Sequence, residues 1–218
     1  CARLYHAGLD ADVRAAVHHL AREVPRVALL GFSLGGNQAL LAMGRAAGAL
    51  PAALCAAAAV SPPVDLAACC AAIDAPSNRL YQAYFMRALR DSYAERQRRL
   101  PELYAAGRER GLGSVRAYDE AITAPYNGFR DAADYYAQSS AGPHVASIRR
   151  PTLILAAEDD PMVPGASVAR WPLPASGVVV REMTPTGGHV GFTGRTEAPG
   201  RYWAAERVMR FLEAATRA

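Results

Sequence analysis

The chain has no lysine: its 24 basic residues are all arginine, against 20 acidic ones, for a net charge of +4. The arginines are scattered, without the dense basic block or interleaved aromatics of a nucleic-acid-binding surface, which removes nucleic acid from the expected partners. Long apolar runs are lacking as well. The longest, Ala52 to Val60, falls well short of the roughly 18 apolar residues needed to span a bilayer. Cys1, Cys55, Cys69 and Cys70 form no CxxC pair and share no metal-ligand spacing with the five histidines. No metal and no organic cofactor is expected. Adjacent Cys69 and Cys70 are poorly placed for a structural disulfide, so reduced thiols and a cytoplasmic location are the expectation. No signal-peptide pattern of charged, apolar and small residues opens the sequence. The first residue is Cys1, not methionine, and the sequence reads as cut at its N-terminus.

What is present, 218 residues of which 51% are hydrophobic and 20% charged, suits one globular domain with a sizeable core. Apolar runs alternate with helical patterns. Residues 11–23 carry Val13, Ala16, Val17 and Leu20 at helical spacing, with Asp10 or Asp12 near the start. Residues 27–32 read as a buried strand, 34–48 as a helix closed by glycine, and 54–61 as a second strand stopped by Pro62-Pro63. Further on, 152–157 and 177–183 read as strands and 202–216 as a closing helix with Trp203, Val208, Phe211 and Leu212 on one side. Strands separated by helices predict a mainly parallel α/β sheet with helices on both faces and right-handed crossovers.

Residues 64–148 interrupt this alternation with a polar, helical stretch, expected to form a cap on the sheet within the single domain 1–218. Its arginines, among them Arg87, Arg90, Arg96, Arg98, Arg99, Arg108 and Arg110, are expected on solvated helix faces. Tyr81, Tyr84 and Tyr93 are expected in core and edge packing. Leu80, Tyr81, Tyr84, Phe85 and Met86 are the apolar side chains from which a cap could build an apolar pocket.

The strongest chemical signal is Gly31-Phe32-Ser33-Leu34-Gly35, a G-x-S-x-G segment between a predicted strand and a predicted helix. There a serine sits on a strained turn, and close passage of strand and helix demands small flanking residues. The turn aims the backbone N–H of Leu34 at a developing oxyanion, helped by the positive end of the helix dipole. A serine hydroxyl needs a base, and the base needs an acid to fix its tautomer. Both follow in the required order. Glu158-Asp159-Asp160 comes after the third strand, and Gly187-Gly188-His189 after the fourth. All three loops lie at carboxyl ends of parallel strands, where open α/β sheets bind ligands. Asp160 is taken as the acid, with Glu158 and Asp159 orienting the turn. His6, His18, His19 and His144 are read as surface or packing residues.

At these positions the chain resembles the YheT-like branch of the α/β hydrolases. The likeness runs through Gly31-Phe32-Ser33-Leu34-Gly35-Gly36-Asn37, Ser61-Pro62-Pro63 with Asp65-Leu66, and Asn127-Gly128-Phe129 with Ala133-Asp134-Tyr135-Tyr136. It continues in Pro151-Thr152-Leu153-Ile154, Asp159-Asp160-Pro161, Gly187-Gly188-His189-Val190-Gly191-Phe192 and Tyr202-Trp203. The resemblance implies a hydrolase of carboxylic esters, with a small-molecule ester or lipid as substrate and Ser33, Asp160 and His189 as its triad. Members of that branch carry further N-terminal strands and a His-Gly-type loop supplying a second oxyanion donor. On that likeness the chain is the C-terminal part of the fold, with Leu34 as the one oxyanion donor in hand and weak activity or none expected alone. The strand before Ser33 is then expected to leave an apolar edge. Two other functions fit the same sequence: a non-catalytic binding protein on this fold, and an acyltransferase in which an alcohol replaces water.

Overall fold

A computed structural model of the chain describes residues 4–46, 48–193 and 202–217. The elements run α1 (Asp10–Glu23), β1 (Val27–Phe32), α2 (Leu34–Arg45) and β2 (Leu54–Val60). The helices α3 (Leu66–Ile73), α4 (Arg79–Arg99), α5 (Val115–Tyr118), α6 (Ala124–Tyr126) and α7 (Ala132–Ser139) follow. The chain closes with β3 (Thr152–Ala157), α8 (Gly165–Ala169), β4 (Val179–Thr184) and α9 (Trp203–Arg217). Among the described residues no helix is long and apolar enough to cross a membrane.

The four strands form one parallel sheet in the order β1-β2-β3-β4. Alternation of side chains across the strands decides which helix covers which face. Ala56, Ala58 and Val60 of β2 and Leu153, Leu155 and Ala157 of β3 pack with Ala204, Val208 and Leu212 of α9. The intervening residues face the other way, where α2 runs so close that a Cβ built on Gly36 would stand 3.4 Å from the Cβ of Ala59. The alanine run of β2 is therefore the steric condition for seating α2. β1 is an outer strand whose Leu30 and Phe32 are exposed.

The chain folds into two compact units, one of residues 7–65 and 139–218 holding the sheet, the other of residues 1–6 and 66–138. The insertion expected over 64–148 thus returns to the sheet unit ten residues early, and the 3-10 turn Gly142–Ser147 packs on α2. Gly44 belongs to that packing: a Cβ there would come within 2.4 Å of the His144 carbonyl oxygen. α2 ends at Arg45, short of the glycine expected to close it. In α1 only Val17 of the predicted apolar face is buried; Ala16 and Leu20 are exposed.

The helical unit has its own core of Leu4, Met86, Tyr93, Tyr104, Tyr118 and Ile122. Of the three tyrosines expected in packing, Tyr93 is fully buried, whereas Tyr81 and Tyr84 are exposed on the first half of α4 with Leu80. Met86, counted among the cap's pocket residues, lies in this core instead. The side chains of Arg87, Arg98 and Arg99 are exposed, as expected. Asp74 caps α5, accepting from the Val115 and Arg116 N–H groups at 2.9 and 3.0 Å. Beside it, Asp119 opens a π-helical turn (Asp119–Thr123), where its carboxylate accepts from the Tyr136 hydroxyl at 2.8 Å. Burial pushes the Asp119 carboxyl up to about 6, although its hydrogen bonds from Thr123 and Tyr136 work against that rise. Cys55, Cys69 and Cys70 are free thiols, and burial raises Cys70 to about 12. Cys1 lies outside the described residues.

Candidate active site

Ser33 stands between the last residue of β1 and the first of α2, with φ 48° and ψ −123°. That is backbone territory non-glycine residues seldom occupy, at a cost of about 1–3 kcal/mol. Its own backbone holds it there. The Ser33 N–H donates to the Val60 carbonyl at 2.8 Å, extending the β1–β2 pairing by one residue. Its carbonyl accepts from Gly36 and Asn37, opening the helix. A Cβ on Gly31 would lie 2.3 Å from the Gly35 carbonyl oxygen, so the first glycine of the motif is sterically required. Gly35 differs from expectation, because a Cβ built there meets nothing within 4 Å among the described residues. The close approach falls one residue later, where a Cβ on Gly36 would sit 3.1 Å from Pro62 and 3.2 Å from the Gly31 carbonyl oxygen. Leu34 is the first residue of α2, and its N–H is one of those a helix cannot satisfy from its own carbonyls.

Asn37, one turn into α2, ties the elbow down. Fully buried, its side-chain amide donates to the carbonyls of Ala7 and Ser139 at 3.2 and 2.8 Å, and its oxygen accepts from the Ala141 N–H at 2.9 Å. One side chain thus joins three segments of the sheet unit.

The carboxylate and the imidazole come from the loops after β3 and β4. Asp160 is buried, with Oδ1 accepting from the Met162 and Val163 N–H groups at 2.9 Å each. Its Oδ2 lies 2.9 Å from Nδ1 of His189. Burial pushes the Asp160 carboxyl up, but the His189 hydrogen bond and the two backbone donors outweigh it and hold the group below the usual carboxylate value. The other ring nitrogen of His189, Nε2, lies 2.9 Å from Oγ of Ser33. Serine and imidazole are both half-buried, the His189 side chain 14% exposed, whereas the Asp160 carboxylate is 1% exposed. A neutral imidazole with its proton on Nδ1 can donate to Asp160 and accept from the serine hydroxyl.

The glycines around His189 have separate jobs. A Cβ on Gly187 would strike the Phe192 ring at 2.6 Å and Ala157 at 3.0 Å, whereas Gly188 is there for its φ of 57°. The three residues picked out from sequence, Ser33, Asp160 and His189, are thus brought together, with Leu34 beside the serine. Asp159 accepts from the Gly188 N–H at 2.8 Å, and Glu158 is exposed. His18 and His19 are exposed on α1, His144 accepts from Arg45 at 3.4 Å, and His6 is buried edge-on against Phe129. Sequence reasoning gave no role to Ser61, a buried residue immediately after β2 with φ 47°, whose Oγ accepts from the Val190 N–H at 3.3 Å. The serine stopping a buried strand before Pro62-Pro63 was the signal available.

A parallel sheet that presents a serine elbow, a carboxylate and a histidine in that chain order from its carboxyl-end loops has the architecture of an α/β hydrolase. The chain belongs to the α/β hydrolase family, which residues 3–205 match. It is 33% identical over 214 residues to the candidate esterase YheT of Escherichia coli (strain K12), an alignment covering 96% of this chain and 62% of YheT. A stretch of 102 residues, 47% of this chain and 22% of the relative, is 34% identical to the monoacylglycerol lipase of Saccharomyces cerevisiae. Among solved structures, the Pyrococcus furiosus esterase Pf2001 shares the fold, with a TM-score of 0.54 and 18% identity over 98% of this chain and 65% of that one. The chain therefore spans less than two thirds of the length of each of these proteins.

Proposed function

We propose that the protein is a serine hydrolase of carboxylic esters, of short-chain or acylglycerol type, with Ser33 as nucleophile, His189 as base and Asp160 as its acid. The observation that carries this reading is the unbroken relay of two 2.9 Å contacts, Ser33 Oγ to His189 Nε2 and His189 Nδ1 to Asp160 Oδ2. Esterase and lipase relatives support the reaction class.

The mechanism is two-step acyl transfer. His189 Nε2 takes the proton as Ser33 Oγ attacks the ester carbonyl. The tetrahedral oxyanion forms beside the Leu34 N–H, where the helix dipole is favourable. Collapse expels the alcohol, which leaves with the proton from His189. Water then attacks the acyl-enzyme by the same route and restores the serine. Asp160 stays ionised throughout and stabilises the imidazolium.

The test is covalent labelling with a fluorophosphonate probe, read by intact mass and peptide mapping, beside a heat-denatured control. One adduct on Ser33, absent after denaturation and in Ser33→Ala, is expected, together with loss of p-nitrophenyl butyrate turnover in that variant. An adduct that forms on a residue other than Ser33, or a fully active Ser33→Ala variant, refutes the assignment.

A further inference from the structure

We infer that Asp159 and Ser61 are positioning residues that clamp the backbone on either side of His189, an inference that rests on the reading of His189 as the base. The loop after β4 is an unfavourable one for a chain to hold. Gly188, Val190 and Phe192 all have positive φ, of 57°, 57° and 35°. For Val190, with a branched Cβ, that region is costly. The residue is 39% exposed and so offers little packing in return.

The Phe192 N–H closes the loop on the Gly187 carbonyl at 2.9 Å, and two further hydrogen bonds run from its backbone to side chains of other loops. The Gly188 N–H donates to Asp159 Oδ1 at 2.8 Å, and the Val190 N–H donates to Ser61 Oγ at 3.3 Å. These are the two residues that flank His189 in sequence. Their acceptors come from two other strand-end loops, those after β3 and β2. Ser61 is itself fixed, fully buried and donating its N–H to the Leu155 carbonyl at 2.7 Å.

The paired carboxylates thereby divide the work. Asp160 holds the imidazole ring through Nδ1, while its neighbour Asp159 holds the backbone from which the ring hangs. With the backbone pinned on both sides, the remaining freedom of His189 is rotation of its side chain, and Asp160 limits that. A base must keep hydrogen-bond reach of its nucleophile, and small displacements at this point are costly in rate.

The test uses p-nitrophenyl butyrate turnover, with the far-downfield proton resonance of a hydrogen-bonded imidazole as a second readout. Asp159→Ala and Ser61→Ala are each expected to lower kcat roughly fivefold with KM unchanged, the rate equivalent of one ordinary hydrogen bond. Both should broaden the downfield resonance. Asp159→Asn keeps the acceptor oxygen and should restore both kcat and the resonance, which a role resting on charge alone would not do. Melting temperatures identify any variant that is simply unfolded, and the exposed Asp159 pair carries the test if Ser61→Ala is. Wild-type kcat and resonance in the alanine variants, or failure of Asp159→Asn to recover them, overturns the clamp alone. A wild-type protein that labels at a residue other than Ser33 overturns the triad reading, and this inference with it.

Discussion

Replacing Gly31 and Gly35 one at a time by alanine separates two explanations of the serine elbow. If both glycines serve the same close passage of strand and helix, both substitutions should be damaging. The structure separates them. A methyl group on Gly31 would sit 2.3 Å from the Gly35 carbonyl oxygen and 2.6 Å from the Gly36 nitrogen, and both obstacles are backbone. No side chain can rotate out of the way, so relief requires β1 and α2 to separate by about 1 Å. Overpacking of this kind costs about 1–3 kcal/mol, and rigid backbone on both sides places Gly31→Ala at the upper end. For a domain of this size about 3 kcal/mol corresponds to a melting temperature lower by roughly 6–12 °C. A methyl group on Gly35 meets nothing and removes a flexible residue from the first turn of α2, so Gly35→Ala should melt at or slightly above the wild type. Calorimetry gives the stabilities, and fluorophosphonate labelling rates report the elbow itself, with labelling lost only in Gly31→Ala. Equal destabilisation by the two substitutions, or greater damage at Gly35, would refute the reasoning.

On the proposed reading, Asp160→Asn keeps the shape of the carboxylate but not its charge, and should lower kcat toward p-nitrophenyl butyrate by about 10⁴. The folded-state value of Asp160 is depressed, so its stabilising contribution is complete above the ordinary carboxylate value of 3.8 and is lost as pH falls through the lower folded value. Melting curves of wild type and variant should therefore differ by a constant amount near neutrality and converge in strong acid; a gap that persists there would contradict the assignment. Asp119 behaves in the opposite sense. A carboxyl raised from 3.8 to about 6 favours the fold while protonated and penalises it increasingly as pH rises between those values. Asp119→Asn should stabilise the helical unit by about 3 kcal/mol at neutral pH and by nothing below pH ~4, as read from hydrogen exchange over residues 115–136. No gain at neutral pH would show that the carboxylate is better satisfied than its burial implies.

Much of this was legible in the sequence where local chemistry decides. The bounds of β1 and β3 follow from short aliphatic runs with clear stops, and Gly31-Phe32-Ser33 could be placed because strand, turn and helix signals coincide. Legibility failed where a distant segment decides. Nothing near Gly44 announces that His144 will press against it, and α2 ends before Gly48 although that glycine looked like its cap. The helical spacing in α1 is real, yet a pattern of apolar residues does not say how much of the face will be covered, and only Val17 is buried. Within Glu158-Asp159-Asp160, which carboxylate reaches the imidazole depends on the path of the loop. Adjacent side chains in a turn diverge, here toward the His189 ring and the Gly188 N–H.

The Gly142 N–H donates to the carbonyl of Val64 at 2.9 Å, so the sheet unit leaves off and resumes at two points one hydrogen bond apart. What the chain does between them is invisible to the register of β2 and β3. Lineages could lengthen, shorten or replace residues 66–138 without renegotiating the strands that carry Ser33 and Asp160. For a protein engineer, Asp65 and Ser139, just inside the Val64–Gly142 hydrogen bond, are the natural splice points for grafting a foreign helical segment, since they keep the Ser139 carbonyl and Ala141 N–H that Asn37 uses, at the cost of closing only a short loop.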